Sequence, residues 1–529
     1  MPTQLQKMLD GLQAAGQSEL LRSIHHGIEK EGLRVDQQGR VAQTEHPKAL
    51  GSALTHPRIT TDYSESLLEF ITPVFQGIEP ALEHLQELHR YTYAKLGNET
   101  IWASSMPCRI DDAQEIPIGQ YGSSNSGRMK HVYRVGLESR YGRVMQSIAG
   151  IHYNFSLPEA IWPVLQQLSG AAVADKSLQR FQSDSYFGLL RNFRRHGWLL
   201  NYLFGSSPAI SRSFIKAQGG SADHQLESFD DDTLYSPYAT SLRMSDLGYT
   251  NQAQASLNIC YNTLENYTHT LAAAVATPYP AYEAIGVRDG NGEYRQLNTN
   301  LLQIENEYYS DIRPKRVVSS GEKPLDALRC RGVEYVEIRS QDINPLLPVG
   351  IDAPQARFID CFLIHCLLAD AADISDDECE RLKVNHARVV RQGRKPGLQL
   401  TTAEGDRSLQ QWGQQLLDEV MSVAELMDRV YGSACYSRSV QQQRDKLEDP
   451  SLTPSATVLK LMRERGQSYT EFVLAQSNHH RDRLLAEALP EYRCDELDAM
   501  TVRSLHQQQQ IEQNCSQSFE EYLQQYFAS

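Results

Sequence analysis

No hydrophobic run in the sequence is long enough to cross a lipid bilayer. A membrane-spanning helix needs about 18 or more consecutive apolar residues, whereas the most apolar stretch, Cys361–Ala369, is much shorter and is interrupted by His365. The first ten residues also lack the apolar core of a secretory signal. We therefore expect a cytoplasmic protein without a membrane partner.

Cysteine and positive charge are also scarce. The 529 residues include nine cysteines, an odd number without a close Cys-x-x-Cys pair, which is typical of reduced thiols rather than of a disulfide framework. Lys and Arg number 51 against 66 Asp and Glu, so the formal net charge is −15. Because such a field repels phosphate backbones, nucleic acid is excluded as a general partner, and a phosphate ligand needs a local cluster of bases.

Two common nucleotide-binding motifs are absent. The sequence has no GxxxxGK[ST] loop and no GxGxxG motif that opens a helix, which disfavours a P-loop or a Rossmann site. The Gly-rich segment Gly119–Gly127 lacks the lysine of a phosphate loop, and we predict a capped turn there.

The patterns of secondary structure differ between the two parts of the chain. The part before residue 350 is predicted to be strand-rich, and the remainder is dominated by helical patterns. Apolar residues from Leu409 to Val430 predict one long amphipathic helix, and the apolar run at 361–369 predicts a buried helix. Residues 216–232 are predicted to form a surface loop, and the Gln-rich tail a polar helix that docks by its last turns. We expect residues 1–400 to form one sheet-and-helix body, on which residues 401–529 pack as a helical flank rather than an independent domain.

Acidic residues interrupt several apolar, strand-like runs. Glu29 and Glu31 alternate on one face of a predicted strand, about 6.6 Å apart. Glu69 and Glu337 lie within similar runs, and Asp62 precedes the first of these. Each acid alone could occupy a solvated face or pair with arginine. Together they favour a hard divalent cation, Mg²⁺ or alternatively Mn²⁺, because buried carboxylates are costly unless they are compensated. The sequence places few bases near Glu29, Glu31, Asp62 and Glu69.

One histidine has a pattern that fits the same site. Strand alternation would place His152 on a polar face with Gln146 and Asn154. The sequence favours metal ligation and a structural hydrogen bond about equally for this side chain.

Local bases follow an acidic segment. Ile304–Tyr309 is predicted as an acidic strand, and Arg313, Lys315 and Arg316 come directly after it. Arg339 shares a strand face with Glu337, where a guanidinium could bind a transferring phosphoryl group or form an internal salt bridge.

The motifs resemble, in order over residues 20 to 400, those of the proteobacterial type of glutamate–cysteine ligase. The matching blocks are Gly27–Glu31, Ala49–His56, Ile59–Tyr63, Leu68–Pro73, Gly150–Phe155, Thr240–Tyr249, Gln303–Glu307, Ile312–Arg316 and Glu337–Ser340. The resemblance implies an α+β fold in which a glutamine-synthetase-like curved antiparallel sheet of six strands forms a funnel flanked by helices.

The resemblance also implies an activity. It is the ATP-dependent ligation of the L-glutamate γ-carboxylate to the amino group of L-cysteine through a γ-glutamyl phosphate, which is the first step of glutathione synthesis. L-glutamate, L-cysteine and ATP would be the substrates of a monomeric enzyme, with glutathione as a feedback inhibitor.

Site residues follow from the matching positions. The resemblance implies a magnesium site formed by Glu29, Glu31, Asp62, Glu69, His152 and Glu337. It implies a cysteine pocket formed by Tyr63, Tyr133, Leu137, Gln146, Arg243, Tyr249 and Tyr309, and phosphate or transition-state contacts from Arg134 and Arg339. Tyr63 departs from the phenylalanine expected there. Tyr133 and Leu137 are also spaced as an i,i+4 pair on a helix that begins near Gly127, so they could be core residues.

Two other functions fit the same residues. A ligase could use another acceptor, because several tyrosines do not by themselves select a thiol. A non-catalytic module that binds metal and nucleotide would contain the acids without turnover. Release of ADP only in the presence of both amino acids separates the ligase from the module.

Overall fold

The computed structural model describes residues 2–220, 226–248, 254, 257–319 and 321–528. The main sheet is antiparallel and has the strand order β10-β11-β6-β1-β3-β2, with the short strands β4 and β5 paired to the ends of β1. Its strands are β1 (His25–Val35), β2 (Ile59–Thr61), β3 (Leu67–Ile71), β4 (Phe75–Gln76), β5 (Thr100–Ile101), β6 (Ile151–Ser156), β10 (Ile312–Lys315) and β11 (Tyr335–Gln341).

Two small sheets lie outside this one. They are formed by β7 (Ala209–Ser211), β8 (Glu227–Ser228) and β9 (Thr233–Tyr235), and by the hairpin of β12 (Gln399–Thr402) and β13 (Gly405–Ser408). The expected α+β class and the six-stranded antiparallel path are therefore confirmed. In the described residues the edge strands β2 and β10 do not pair, so the sheet is open.

Helices surround the sheet along the whole chain. Those before residue 350 are α1 (Gln4–Ala14), α2 (Ile78–Tyr93), α3 (Asn125–Tyr141), α4 (Ile161–Leu168), α5 (Leu178–His196), α6 (Trp198–Phe204), α7 (Arg212–Ala217), α8 (Leu264–Ala276), α9 (Pro280–Ile285) and α10 (Pro324–Arg331). Those after it are α11 (Ala353–Leu368), α12 (Asp376–Gln392), α13 (Leu409–Tyr431), α14 (Cys435–Glu448), α15 (Pro454–Arg465), α16 (Tyr469–Leu485), α17 (Glu491–Gln513) and α18 (Phe519–Ala528).

The helices predicted after residue 350 are confirmed. Helix α13 buries Leu416, Leu417, Val420 and Met427 along one face, and α11 buries both of its cysteines in the main core. All nine cysteines are free. The tail differs from the prediction, since its Gln-rich segment ends α17 and its aromatic residues form the separate helix α18.

Three local predictions were wrong. The part before residue 350 is not mainly strand, because helices such as α5 bury aromatic side chains that also suit a strand. Segment 304–309, predicted as a strand, contains a 3₁₀ turn at Glu305–Glu307. The Glu307 carboxylate accepts a hydrogen bond from the backbone N–H of Gln303 (2.6 Å), which favours the turn. Gln146 lies in the turn Val144–Ser147 before β6 and not on the strand.

The predicted surface loop at 216–232 is interrupted by regular structure. It begins in the last turn of α7 and contains β8, while residues 221–225 lie outside the described residues. Among the helices that the structure describes, none combines the length and the apolar content that crossing a bilayer demands.

A buried lysine lies on the far face of β1. Lys30 alternates with Glu29 and Glu31 and is 2% exposed, and its Nζ lies 3.0 Å from Nε2 of His89. Nδ1 of His89 lies 2.7 Å from the Leu85 carbonyl, which it reaches as a donor. Burial lowers the pKa of Lys30 to about 7, and burial followed by the lysine charge lowers the pKa of His89 well below its usual value. The sheet is therefore built over a lysine that is poorly stabilised in its charged form.

This lysine predicts a stability that rises with pH. Between about pH 7 and 10.5 the unfolded chain binds a proton at Lys30 that the folded chain does not, so the free energy of unfolding increases as pH rises through this window. Lys30→Met should reduce the increase between pH 7 and 9 by about 2 kcal/mol, as measured by urea denaturation. Lys460→Met, at a lysine whose side chain is 69% exposed, is the control. An unchanged pH slope in Lys30→Met would contradict the prediction.

Candidate active site

The strand register places the predicted acids side by side on one face of the main sheet. Glu31 on β1 is opposite Glu69 on β3, and Glu29 is opposite His152 on β6. Glu337 on β11 is opposite Asn154 on β6, whose side chain donates to Glu29 (3.0 Å). Residues that lie far apart in sequence are thus brought together by antiparallel pairing.

Three of these side chains form a compact set of potential metal ligands. Glu29, His152 and Glu337 each offer one ligand atom, and these atoms all lie within 4.8 Å of one another. Nδ1 of His152 is 3.1 Å from Glu29 Oε2, and its Nε2 is 3.5 Å from Glu31 Oε1. Two carboxylates and an imidazole match the donors that bind divalent cations.

Bases neutralise one end of this cluster. Lys315 Nζ and Arg339 Nη1 lie 3.1 and 3.2 Å from the two carboxylate oxygens of Glu337. Burial opposes ionisation of Glu337, but the nearby positive charges outweigh it and hold its pKa well below the usual range. Burial likewise opposes ionisation of Glu29, and the hydrogen bond with His152 leaves its pKa lowered. The internal salt bridge between Arg339 and Glu337, which the sequence allowed as an alternative to phosphate binding, is therefore present.

The other end of the cluster has an excess of negative charge. Burial and the neighbouring Asp62 raise the pKa of Glu31. Burial and the charges of Glu29, Asp62 and Glu31 raise the pKa of Glu69 well above its usual value. The prediction that these acids lack enough bases therefore agrees with the geometry at this end. Such a set fits a divalent cation, because added positive charge would favour the ionised carboxylates.

A cavity of about 120 Å³ lies beside the acids. Of the predicted site residues it is lined by Glu31, Asp62, Tyr63, Tyr133, Arg134, Leu137, Gln146, Tyr309 and Arg339. Arg339 joins the two regions, since its Nη1 contacts Glu337 and lies 3.4 Å from His152 Nδ1. Arg134, which also lines the cavity, donates to the Asp62 carbonyl (2.5 Å) and stacks on Tyr121.

One predicted pocket residue, Arg243, does not line the cavity in the described structure. Arg243 is 2% exposed. It packs against Gly150, donates to the Arg339 carbonyl (2.9 Å) and so supports the wall. A Cβ at Gly150 would lie 2.0 Å from the guanidinium, so a larger residue there would displace Arg243. Tyr249 lies outside the described residues.

Tyr63, where phenylalanine was expected, is 1% exposed. Within the described part of the chain its hydroxyl has no hydrogen-bond partner, and burial raises its pKa. The cost of burying the extra hydroxyl is therefore not offset by a hydrogen bond from the described residues around it.

Sequence reasoning missed a second group of lining residues around Glu307. Its carboxylate accepts hydrogen bonds from Arg140 (2.9 Å) and Tyr141 (2.5 Å), and both members of the Arg140–Glu307 pair are fully buried. Gln254 donates to the Glu307 carbonyl (3.0 Å) and accepts from the Tyr309 amide (3.0 Å). The missed lining residues are Tyr141, Met145, Gln254, Asn306, Glu307 and Arg313. The sequence signals for this group were the acidic segment before the bases at 312–316 and the matching blocks Gln303–Glu307 and Ile312–Arg316, from which no role was assigned.

The family model and the curated relatives that match this chain have the same description. The family model described as glutamate–cysteine ligase matches residues 9–389. The chain is 50% identical over 511 residues to the glutamate–cysteine ligase of Pseudomonas entomophila, covering 97% of this chain and 95% of the relative. It is 51% identical over 510 residues to that of Azotobacter vinelandii, covering 96% and 95% of the two chains.

Solved structures agree with these sequences. The crystal structure of the Francisella tularensis glutamate–cysteine ligase in complex with AMP is 37% identical, with a TM-score of 0.89 and coverage of 96% of this chain and 98% of that chain. A bifunctional glutathione synthetase from Pasteurella multocida is 25% identical, with a TM-score of 0.73 and coverage of 94% and 58%. Sequence and architecture match over nearly the whole length, and the chain belongs to the glutamate–cysteine ligase family.

Proposed function

We propose that the acidic face of the sheet and the adjoining cavity form the active site of this ligase. The chain forms γ-glutamylcysteine from L-glutamate, L-cysteine and ATP, the first step of glutathione synthesis, as its family membership and whole-length identity support. The observation that carries the site assignment is the set Glu29, His152 and Glu337, with Arg339 extending from it to the cavity wall.

The chemistry explains why such a site suits the reaction. A carboxylate resists attack by an amine, so the glutamate γ-carboxylate first attacks the γ-phosphorus of ATP and ADP leaves. The amino group of cysteine then attacks the acyl carbon of the γ-glutamyl phosphate, and inorganic phosphate departs as the amide bond forms. Both steps move negative charge, which fixed positive groups stabilise.

We assign Mg²⁺, or alternatively Mn²⁺, to the acidic face. The proposed ligands are Glu29, Glu31, Asp62, Glu69, His152 and Glu337. A bound divalent cation would screen the triphosphate charge and orient the reacting oxygens. The raised pKa values of Glu31 and Glu69 are consistent with this assignment, because burial and then the neighbouring carboxylates oppose their ionisation, and a bound cation would offset both effects.

Arg339 and Arg134 are the proposed phosphate contacts. Glu337 holds Arg339 by a contact of 3.2 Å, and Arg134 is fixed by the Asp62 carbonyl and by the carbonyl of Lys130 (2.8 Å). Both guanidinium groups line the same cavity. Anchoring them before substrate binds reduces the reorganisation needed when charge develops on the transferring phosphoryl group.

The acceptor pocket is assigned to Tyr63, Tyr133, Leu137, Gln146 and Tyr309, which line the cavity, with Arg243 supporting its wall. Tyr249 is assigned to the same pocket on the resemblance alone. Aromatic rings and Leu137 would pack around the cysteine side chain, while polar groups would bind its carboxylate and amine. An acceptor other than cysteine is the second candidate, because a small apolar pocket discriminates one methylene or hydroxyl by only about 10 to 200-fold.

Several finer assignments accompany this proposal. We propose a cytoplasmic monomer, with the free cysteines as support for a reducing compartment. Glutathione would inhibit as a feedback ligand, since it contains both joined amino acids and would overlap their subsites. The part after residue 400 is proposed as a flank of the same body, because α13 packs against α11 in the main core.

Glu337→Gln should leave a folded protein with turnover reduced at least about 10²-fold, because a neutral amide binds a cation poorly and no longer anchors Arg339 and Lys315. ADP release measures turnover, and circular dichroism measures folding. Glu334→Gln is the matched control, because Glu334 directly precedes β11 and its side chain is 43% exposed. Unchanged turnover in Glu337→Gln would remove the proposed role.

Arg339→Lys should lower kcat about 10²-fold or more, because lysine keeps the charge but loses the planar, multidentate geometry of the guanidinium. Arg331→Lys, at a surface arginine paired with Glu322, is the control for the same chemical change. An Arg339→Lys enzyme as active as the parent would leave this side chain with only its structural salt bridge.

ADP release should require both amino acids and a divalent cation. We expect it to stop on chelation and to return when Mg²⁺ is supplied. Cysteine should be preferred, with measurable activity on 2-aminobutyrate because the two differ by a single small group. Equal rates with cysteine, 2-aminobutyrate and serine would favour another acceptor, and nucleotide binding without ADP release would favour the non-catalytic module.

A further inference from the structure

Helix α3 carries four side chains of the cavity, which are Tyr133, Arg134, Leu137 and Tyr141. Leu137 and Tyr141, towards its C-terminal end, also pack half-buried against the main core. Val132 is the single apolar side chain of α3 that is fully buried, at 6% exposure. The C-terminal end of this helix is also held by the buried pair of Arg140 and Glu307, so apolar packing of its N-terminal half depends on what contacts Val132 and its neighbours.

The partner of Val132 is a small hydrophobic cluster that is separate from the main core. Its buried members are Val132, Leu297, Phe519 and Leu523. Met129, Tyr133 and Tyr522 are half-buried side chains packed against it. Phe519, 2% exposed, and Leu523 belong to α18, so a helix nearly 400 positions after α3 supplies half of the buried members.

Polar contacts fix the start of α3 to the same tail. The Asn125 amide group donates to the Gln517 carbonyl (2.9 Å), and the Ser123 backbone N–H donates to the Glu512 carboxylate (2.9 Å). The Arg128 guanidinium lies over the Phe519 ring, 4.5 Å from its centroid. The tail therefore contacts the loop before α3, its first turn and its second turn.

We infer that α18 positions the acceptor pocket, with Phe519 as the positioning residue that holds α3 and, through it, Tyr133. This inference rests on the proposed function, in which Tyr133 and Leu137 contact the acceptor. Phe519 itself does not line the cavity in the described structure and acts only through α3.

The other contacts of α3 explain why loss of Phe519 should displace the helix and not unfold it. Arg134 donates to the Asp62 carbonyl, and the Gln303 side chain donates to the Tyr133 carbonyl (3.2 Å). Neither contact involves a residue of α18, so both remain when that helix is weakened. The helix can then tilt about them, which moves Tyr133 relative to the sheet while the acidic face stays in place.

The test is a comparison of Michaelis constants in the full-length enzyme. Phe519→Ala should raise KM for cysteine about 10-fold or more, since small displacements of positioning groups have large effects, while KM for ATP changes less than about twofold and kcat less than about threefold. Phe519→Leu should restore most of the affinity, because leucine refills the cluster. Tyr492→Ala, at an aromatic residue of α17 that is 66% exposed, is the matched control.

Each outcome bears on the inference. An unchanged KM for cysteine in folded Phe519→Ala overturns the inference. An equal rise in KM for all three substrates that Phe519→Leu does not reverse also overturns it. Should Phe519→Ala not fold, Leu523→Ala at the same cluster replaces it, with the same expected pattern. Tyr133→Leu separates the two proposals. A normal KM for cysteine in that variant rejects the pocket assignment. A raised KM for cysteine in Tyr133→Leu, together with a normal KM for cysteine in Phe519→Ala, rejects only the positioning role.

Discussion

The electrostatic imbalance on one face of the main sheet is the constraint on which the site depends. Antiparallel pairing places Glu31 beside Glu69 and Glu29 beside His152, and burial makes this concentration of charge costly. Lys315 and Arg339 contact Glu337 directly, and the charge of Arg339 offsets only part of the repulsion at Glu31 and Glu69. A cationic ligand would offset the remaining negative charge, so the arrangement that destabilises the sheet favours binding.

The central sheet and its acidic face could be predicted because strand alternation is a local property. Glu29, Glu31 and Glu337 each stand within an apolar run, so period-two geometry fixes the face on which each side chain lies. The resemblance to a known family supplied the six-stranded antiparallel sheet and the residues of the pocket. Structure and comparisons confirm the fold class and the family, while the roles of individual site residues stay predictions.

The rest of the site depends on contacts that no local pattern contains. Glu307 was predicted in a strand, but its carboxylate forms a turn and is buried against Arg140, which lies more than 160 positions earlier. Gln254 contacts both Glu307 and Tyr309 through its side-chain amide, and a lone glutamine has no distinguishing signal. The tail helix likewise has an ordinary aromatic spacing, and its contact with Val132 follows only from the tertiary fold.

The wide sequence separation of the strands has a consequence for biosynthesis. Strands β1, β3 and β6 leave the ribosome well before β10 and β11, which supply Lys315 and Arg339. A growing polypeptide therefore contains Glu31 and Glu69 before Arg339, whose charge opposes the rise in their pKa values, has been added. Like-charge repulsion between these two acids disfavours early docking of β1 on β3, and β11, once synthesised, supplies a charge that offsets part of it.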